Sequence, residues 1–417
     1  MTLLSWIAVA VIFVTIWALI KRWETRLVLI AAGLFLCIIS LNPMMGLNQF
    51  AKSMTNNSLI MAICGSMGFA FTATYTQCDR SLVHYLAAPI RGMGLFLVPV
   101  STVITFFVNI AIPSAAGCAA AVGSTLIPLM LRAGIKPAAV LAGTIGSYLS
   151  PGTSHNPFVA KMAGMDVMEF IGTHTYYSLM CGAILVVGTA IVCFLMGDGK
   201  GDANAQVDES KIKNEDFTPN PLKAIVPLVP ITILVVGNMW VPAIKMGVAQ
   251  AMLIGAICAL VVSLSNPQEF SKKFFDGMGK GYADVLGIII AAGVFAAGLR
   301  ATGLIDACVD ALKDSNDIAR WGGSLGPWIM GVITGSGDAA TLAFNETVTP
   351  HAKDFGMTIE GLGGLAFLTG ALGRTMSPLA GVTILVSGIA MVNPIDVIKR
   401  TAIPCIIAVF ACAFLMV

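Results

Sequence analysis

The sequence predicts an all-α polytopic membrane protein made of two inverted-topology repeats, each with a re-entrant helical hairpin and a broken transmembrane helix. Three observations predict it. Apolar runs of spanning length recur along the whole chain, one hydrophilic stretch interrupts them near the middle, and a set of small-residue and polar motifs occurs in each half in the same order. Of the 417 residues, 57% are hydrophobic and only 11% charged, with a mean hydropathy of +0.87. A soluble domain carries about 25% charged residues, so a water-soluble fold is excluded.

The spanning runs are Leu3–Ile20, Leu27–Leu41, Ser58–Thr76, Tyr176–Met196, Ala224–Val241, Val248–Leu264 and Thr401–Val417, each near the roughly 20 residues that cross hydrocarbon. A transmembrane β-barrel would show alternating segments of about ten residues, a pattern this sequence lacks. Leu3–Ile20 reads as a first helix rather than a secretion signal, because no basic residue precedes it and Lys21 and Arg22 follow it. Cys37, Cys64, Cys118, Cys181, Cys193, Cys258, Cys405 and Cys412 stand singly in apolar runs and read as small buried hydrophobes. No CxxC or Cys/His spacing suits a metal. The net charge of +2, spread over short loops, offers no surface to nucleic acid.

Gly197–Lys223, rich in Gly, Asp, Asn, Lys and Pro, reads as a linker. It separates a first repeat, 1–196, from a second, 224–417. Each half has a Ser in a small-residue turn (Ser114, Ser336), a Thr-x-x-Pro (Thr125 to Pro128, Thr347 to Pro350), a Gly (Gly134, Gly356) and a Ser-Pro (Ser150-Pro151, Ser377-Pro378). Upstream, each has an amphipathic stretch that begins Asn-Pro, at Asn42 and Asn266. The hairpins are expected at 92–132 and 322–353 and the broken helices at 135–165 and 356–392. A repeat of about 200 residues exceeds any solenoid unit, and in a membrane it suggests a transporter whose site lies where the repeats meet.

Lys and Arg set the orientation. With the N-terminus outside, most of the 24 basic residues fall on the cytoplasmic side, among them Lys21, Arg22, Arg26, Arg80, Arg91, Arg132, Lys136, Lys223, Lys272, Lys273, Lys280, Lys399 and Arg400. Lys52, Lys245, Arg300, Lys313, Arg320 and Lys353 fall outside, and Lys161 and Arg374 lie at membrane depth. This arrangement requires both hairpins to enter and leave on one side, which makes the repeats inverted and both termini periplasmic, with the linker cytoplasmic.

Irregular polar backbone at membrane depth is tolerated only where it lines a cavity or is buried in protein. Four such segments are present: the hairpin tips Pro113 to Gly117 and Thr334 to Asp338, and the helix breaks Ser147 to Pro157 and Gly373 to Gly381. A broken helix exposes N-terminal N–H groups that carry partial positive charge and suit a carboxylate. The candidate substrate-binding residues are therefore Ser114, Ala115 and Gly117 at the first tip and Ser336, Gly337 and Asp338 at the second. The breaks add Ser150, Gly152, Thr153, Ser154, His155 and Asn156 in the first half and Arg374, Thr375 and Ser377 in the second. Ionisable groups inside a bilayer are costly and mark function. Arg374, beside two hydroxyls, could bind a carboxylate in bidentate fashion, or pair internally with Glu346 or Asp338. Asn109, Asp338 and Glu346 are the candidates for a coupling ion, Na+ or H+; no cofactor or metal is expected. Lys161 and His351 are near enough to an interface to snorkel.

Ala291–Leu299 (AAGVFAAGL), Thr334–Ala339 (TGSGDA), Ala343–Glu346 (AFNE), Leu372–Val382 (LGRTMSPLAGV) and Asn393–Thr401 (NPIDVIKRT) together resemble the anaerobic C4-dicarboxylate carriers of the DcuC type, within the ion-transporter superfamily. The likeness extends over nearly the whole chain. It implies exchange or ion-coupled transport of succinate, fumarate, malate or aspartate across the bacterial inner membrane. It also implies a homodimer in which a mobile transport domain carries the hairpin tips past a scaffold, in elevator fashion. Two departures fall on the candidate site: Asp338 stands where the family usually has Asn, and Ser150 to Asn156 replaces the usual Ala-Pro-Thr-Ser-Gly-Asp. The sequence leaves two other functions open. In a cation/proton antiporter, Asp338 and Glu346 would themselves be the transport site. An intramembrane enzyme would need an HExxH or a Ser/His/Asp arrangement, and the lone Gly-Ser-Gly is weak support for a nucleophile.

Overall fold

The computed structural model describes residues 2–21, 23–87, 94–199, 217–305, 307 and 316–416. Arg22, Arg91, Lys200, Lys211, Lys213 and Lys313, the first two residues of the first expected hairpin and residues 200–216 of the expected linker lie outside them. The described chain is helical. The first half runs α1 (Leu3–Ile20), α2 (Thr25–Ile39), α3 (Pro43–Met54), α4 (Asn57–Tyr75), α5 (Cys78–Ala87), α6 (Leu97–Ala111), α7 (Ala115–Arg132), α8 (Ala138–Gly143), α9 (His155–Ala163) and α10 (Val167–Leu195). The second runs α11 (Pro221–Ile225), α12 (Val229–Met239), α13 (Val248–Ser263), α14 (Pro267–Lys280), α15 (Gly287–Ala301), α16 (Asn316–Thr334), α17 (Gly337–Thr347), α18 (Ile359–Thr375), α19 (Gly381–Ala390) and α20 (Pro394–Leu415).

Several helices begin earlier than their apolar runs, because a polar side chain caps them upstream. Asp166 accepts from Met168 N, Asn220 from Leu222 N and Asn393 from Ile395 N, each at 2.9 Å. Pro221 to Lys223, expected in the linker, are therefore the first residues of α11, with Pro221 just after the cap, where its missing N–H costs nothing. The start of the linker is anchored too. The carboxylate of Asp198 receives Arg400 Nε at 2.6 Å and Nη2 at 2.5 Å, a buried two-pronged ion pair to α20.

Among the described residues, five helices are long and apolar enough to cross a membrane: Gly94–Ala111, Val167–Leu195, Pro221–Met239, Pro267–Ala301 and Pro394–Leu415. The Asn-Pro stretches of the two halves differ in shape. α3 meets the following helix at a 50° bend, whereas α14 runs into α15 as one 35-residue helix through a π-helical turn, Gly281–Leu286.

Small residues let these helices meet backbone to backbone, as membrane helices do when lipid gives no hydrophobic drive for association. A Cβ on Gly33 of α2 would lie 2.5 Å from Val294 O of α15. The hairpin arms meet the broken helices in the same way: a Cβ on Gly146 would lie 2.0 Å from Phe106 O of α6, and one on Gly373 would lie 2.2 Å from Trp328 O of α16. Apolar cores then fill around these contacts. One joins Val98, Val122, Ile127, Val140 and Val386, and another joins Tyr148, Leu185, Leu368 and Val409.

Gly373→Ala should therefore destabilise the protein despite the better helix propensity of Ala, because a carbonyl oxygen cannot retreat and overpacking costs about 1–3 kcal/mol. Gly172→Ala, on α10 with nothing within 4 Å of the new Cβ, should gain up to about 1 kcal/mol. Thermal unfolding of the purified variants in detergent checks the pair; equal midpoints would overturn the close-contact account.

Candidate functional site

The two hairpin tips are built alike. α6 ends at Ala111, and Ser114 Oγ accepts from Gly117 N at 3.2 Å to start α7. α16 ends at Thr334, and Ser336 Oγ accepts from Ala339 N at 3.3 Å to start α17. Between the latter pair, Gly335 has φ +72°, and a Cβ there would lie 2.6 Å from the Leu379 carbonyl carbon, so this tip admits only glycine.

The two helix breaks receive the tips. In the first, a 3-10 turn over Thr144–Leu149 ends α8, and α9 restarts at His155. Asn156 Nδ2 spans the gap, donating to Tyr148 O at 2.7 Å and Ser150 O at 2.8 Å. Asn109, in the last turn of α6, donates to Ile112 O and accepts from Ser147 N, both at 2.9 Å, and so ties the tip to the break. In the second break, Ser377 Oγ accepts from Leu379 N at 3.2 Å, and Thr401 Oγ1 donates to Thr375 O at 3.1 Å. The breaks are joined to each other: Tyr148 Oη donates to Leu368 O at 2.7 Å, and Arg374 Nη2 donates to Thr144 O at 3.3 Å.

The N-termini of α7, α9, α17 and α19 all line one cavity of about 300 Å³. Ser154 and Ala380, which precede α9 and α19, make no side-chain cap, so those two helix starts at the cavity are uncapped by their own turn. Four positive helix ends around one space favour an anion.

Among the candidates, Ser114, Ala115, Gly152, Thr153, Ser154, His155, Ser336, Gly337, Asp338 and Arg374 line this cavity. His155 stacks on Phe367 with centroids 4.3 Å apart. Its Nε2 lies 3.9 Å from Asp338 Oδ1 across the two halves and has no hydrogen-bond partner. Asp338 is half exposed into the space.

The other candidates are placed elsewhere. Ser150, Asn156, Thr375 and Ser377 are fully buried outside the lining and hold the breaks; the Thr375 hydroxyl donates to Ala371 O at 2.9 Å. Gly117 and Asn109 shape the first tip from behind. Glu346 stands eight residues beyond Asp338 on α17, about 12 Å along the helix, in a different cavity. Among the described residues Arg374 makes no ion pair with Glu346 or Asp338, the alternative to carboxylate binding that the sequence left open. Helix geometry is the reason: Arg374 sits in the last turn of α18, beside the break, while Glu346 lies more than two turns along α17 from the tip. Sequence reasoning placed Ser147 in the first break without naming it as a site residue, and it missed Phe367 and Ala371, and also Ile63, Met67 and Val285, which α4 and the π-helical turn contribute from outside the tips and breaks. An apolar residue on an apolar helix carries no signal that would have singled these out.

The family model of the C4-dicarboxylate anaerobic carriers, DcuC, matches residues 6–417. An uncharacterised transporter of Haemophilus influenzae is 46% identical over 279 residues, 64% of this chain and 99% of that protein. The anaerobic C4-dicarboxylate transporter DcuC of Escherichia coli is 27% identical over 373 residues, 84% of this chain and 77% of the other. Among solved structures, the YdaH transporter of Alcanivorax borkumensis superposes with a TM-score of 0.57 at 16% identity, covering 89% of this chain and 86% of that one. The two share a fold.

Asn156→Leu leaves two buried carbonyls without their donor, each worth about 1–3 kcal/mol, so the variant should unfold at clearly lower temperature. Thr375→Val removes only a second bond to a helical carbonyl and should unfold within a degree or two of the parent. An Asn156→Leu protein as stable as the parent would show that the break does not depend on this side chain.

Proposed function

This chain belongs to the DcuC family of C4-dicarboxylate anaerobic carriers, and from that premise we propose that it is a secondary active transporter of C4-dicarboxylates, of the succinate, fumarate, malate and aspartate class. The observation that carries the reading is the cavity ringed by four helix N-termini with Arg374 in its wall. Its volume of about 300 Å³ is at the small end of ligand pockets and suits a four-carbon diacid.

Each carboxylate of such a substrate meets one half of the protein. Arg374, held from behind by Thr144 O, supplies the fixed charge for one. Thr153, Ser154 and the uncapped amides of α9 take the other. Asp338 faces His155 across the cavity, and we assign the coupling H+ or Na+ to Asp338 rather than to Glu346, which lies outside the cavity. With Arg374 and four positive helix ends against one carboxylate, the lining favours an anionic cargo over the cation of an antiporter.

The matching tips and breaks support two inverted repeats, and the lining residues from α4 and the π-helical turn support a scaffold against which the tips slide. We place the protein in the bacterial inner membrane as a homodimer, working by exchange or ion-coupled alternating access, with both termini periplasmic and the linker cytoplasmic. The basic-residue distribution supports that orientation.

Arg374→Lys keeps the charge and loses the planar fork, so purified protein should bind succinate about tenfold more weakly or worse, and Arg374→Ala should lose the tight succinate site. Glu346→Gln should not rescue Arg374→Ala, since the two side chains are unpaired. Unchanged succinate affinity in both Arg374 variants overturns the role assigned to this residue. For the orientation, a cysteine at Asn204, which lies outside the described residues, should resist impermeant thiol reagents in intact cells. Ready labelling there reverses the topology.

A further inference from the structure

A second polar cavity, of about 670 Å³, lies at the far ends of the helices that form the central site. α9 and α17 begin at the central cavity with His155 and Gly337; their last turns bring Lys161 and Glu346 into the second one. Lys52, from the last turn of α3, and Arg300, from the last turn of α15, complete its charged lining. Gln49, Ser53 and Asn56 add polar groups.

Three cations thus face one carboxylate. All three act on Glu346 electrostatically, yet among the described residues none closes to ion-pair distance on it. Lys161 donates instead to Asn56 Oδ1, and the charged ends of Lys52 and Arg300 have no hydrogen-bonded partner among the described residues. A basic residue at a helix C-terminus ordinarily serves the helix dipole. That accounts for each cation singly, but not for their convergence from three helices on one open, polar space. Nor does orientation explain them, since Lys52, Arg300 and Lys161 are among the few basic residues not drawn to the cytoplasmic side.

We propose that this cavity is a vestibular anion site that captures the dianionic substrate before it reaches the central cavity. The inference rests on the dicarboxylate reading of the central site. A surplus of two positive charges at the mouth raises the local concentration of a dianion and speeds its entry. Lys52 and Lys161 are exposed on the chain's surface, so capture is weak and is screened by salt over the Debye length of about 8–10 Å. Glu346 keeps the site from becoming a trap: it offsets part of the attraction and lets the dianion move on.

The test uses full-length protein in two assays. In liposome counterflow of labelled succinate, a Lys52→Gln/Arg300→Gln variant should show KM raised about three- to tenfold, an unchanged maximal rate and a flattened dependence on ionic strength. The charge-conserving Lys52→Arg/Arg300→Lys should behave as the parent, which separates lost charge from lost fold. In calorimetry with inorganic sulfate, Arg374→Ala protein, its central site disabled, should retain one weak site that the added Lys52→Gln/Arg300→Gln changes abolish. An unchanged KM, or sulfate binding absent from Arg374→Ala or indifferent to Lys52 and Arg300, overturns the vestibular site. If the parent moves no dicarboxylate while the sulfate site behaves as expected, the anion site stands and the dicarboxylate assignment falls.

Discussion

A helix broken inside hydrocarbon leaves amides and carbonyls that no lipid can satisfy, and each orphan costs several kcal/mol. Everything distinctive in this fold follows from meeting that demand inside the protein. Asn156 holds the two free carbonyls of the first break, Asn109 ties that break to the neighbouring hairpin tip, and Ser377 and Thr401 serve the second break. These side chains can reach only because glycine lets the hairpin arms lie against the broken helices with backbone touching backbone, at Gly146 over Phe106 and at Gly373 over Trp328. The first turns of α9 and α19 line the cavity without a side-chain cap.

Structure and chemistry thereby divide among residues that look alike in sequence. Within the first break, Ser150 and Asn156 are fully buried and structural, while Thr153, Ser154 and His155 between them line the cavity. Within the second, Arg374 faces the cavity and its neighbours Thr375 and Ser377 hold backbone. The cross-links Tyr148 to Leu368 and Arg374 to Thr144 bind the two breaks into one unit, so a ligand between them meets a preformed wall. The remaining wall, Ile63, Met67 and Val285, is apolar and comes from helices outside that unit.

The two short helices α9 and α17 give the polar unit a second end. Their N-termini serve the central cavity and their C-termini, with Lys161 and Glu346, serve the vestibule. A helix of nine to eleven residues is about 14–16 Å long, roughly half a hydrocarbon core. The tip before α17 and the break before α9 therefore fix how far from the central cavity the charged side chains Glu346 and Lys161 stand.

The sequence by itself determined the class of fold. Apolar length marks the helices, Asn-Pro and Ser mark their starts, and matched small-residue motifs mark the tips and breaks, because hydrocarbon and backbone hydrogen bonding constrain each of these locally. The sequence also marked Ser114, Ser336, His155, Asp338 and Arg374, since polar groups at such tips and breaks are costly unless used. Only the tertiary structure decided which of the polar residues face the cavity. In the break before α9 no helical period survives to assign a face to Thr153, and in the last turn of α18 the polar neighbours Arg374 and Thr375 read alike until packing turns one to the cavity and the other onto a carbonyl. It also parted Arg374 from Glu346 and supplied Phe367, Ile63 and Met67, whose apolar side chains are indistinguishable in sequence from the many that meet only lipid or core.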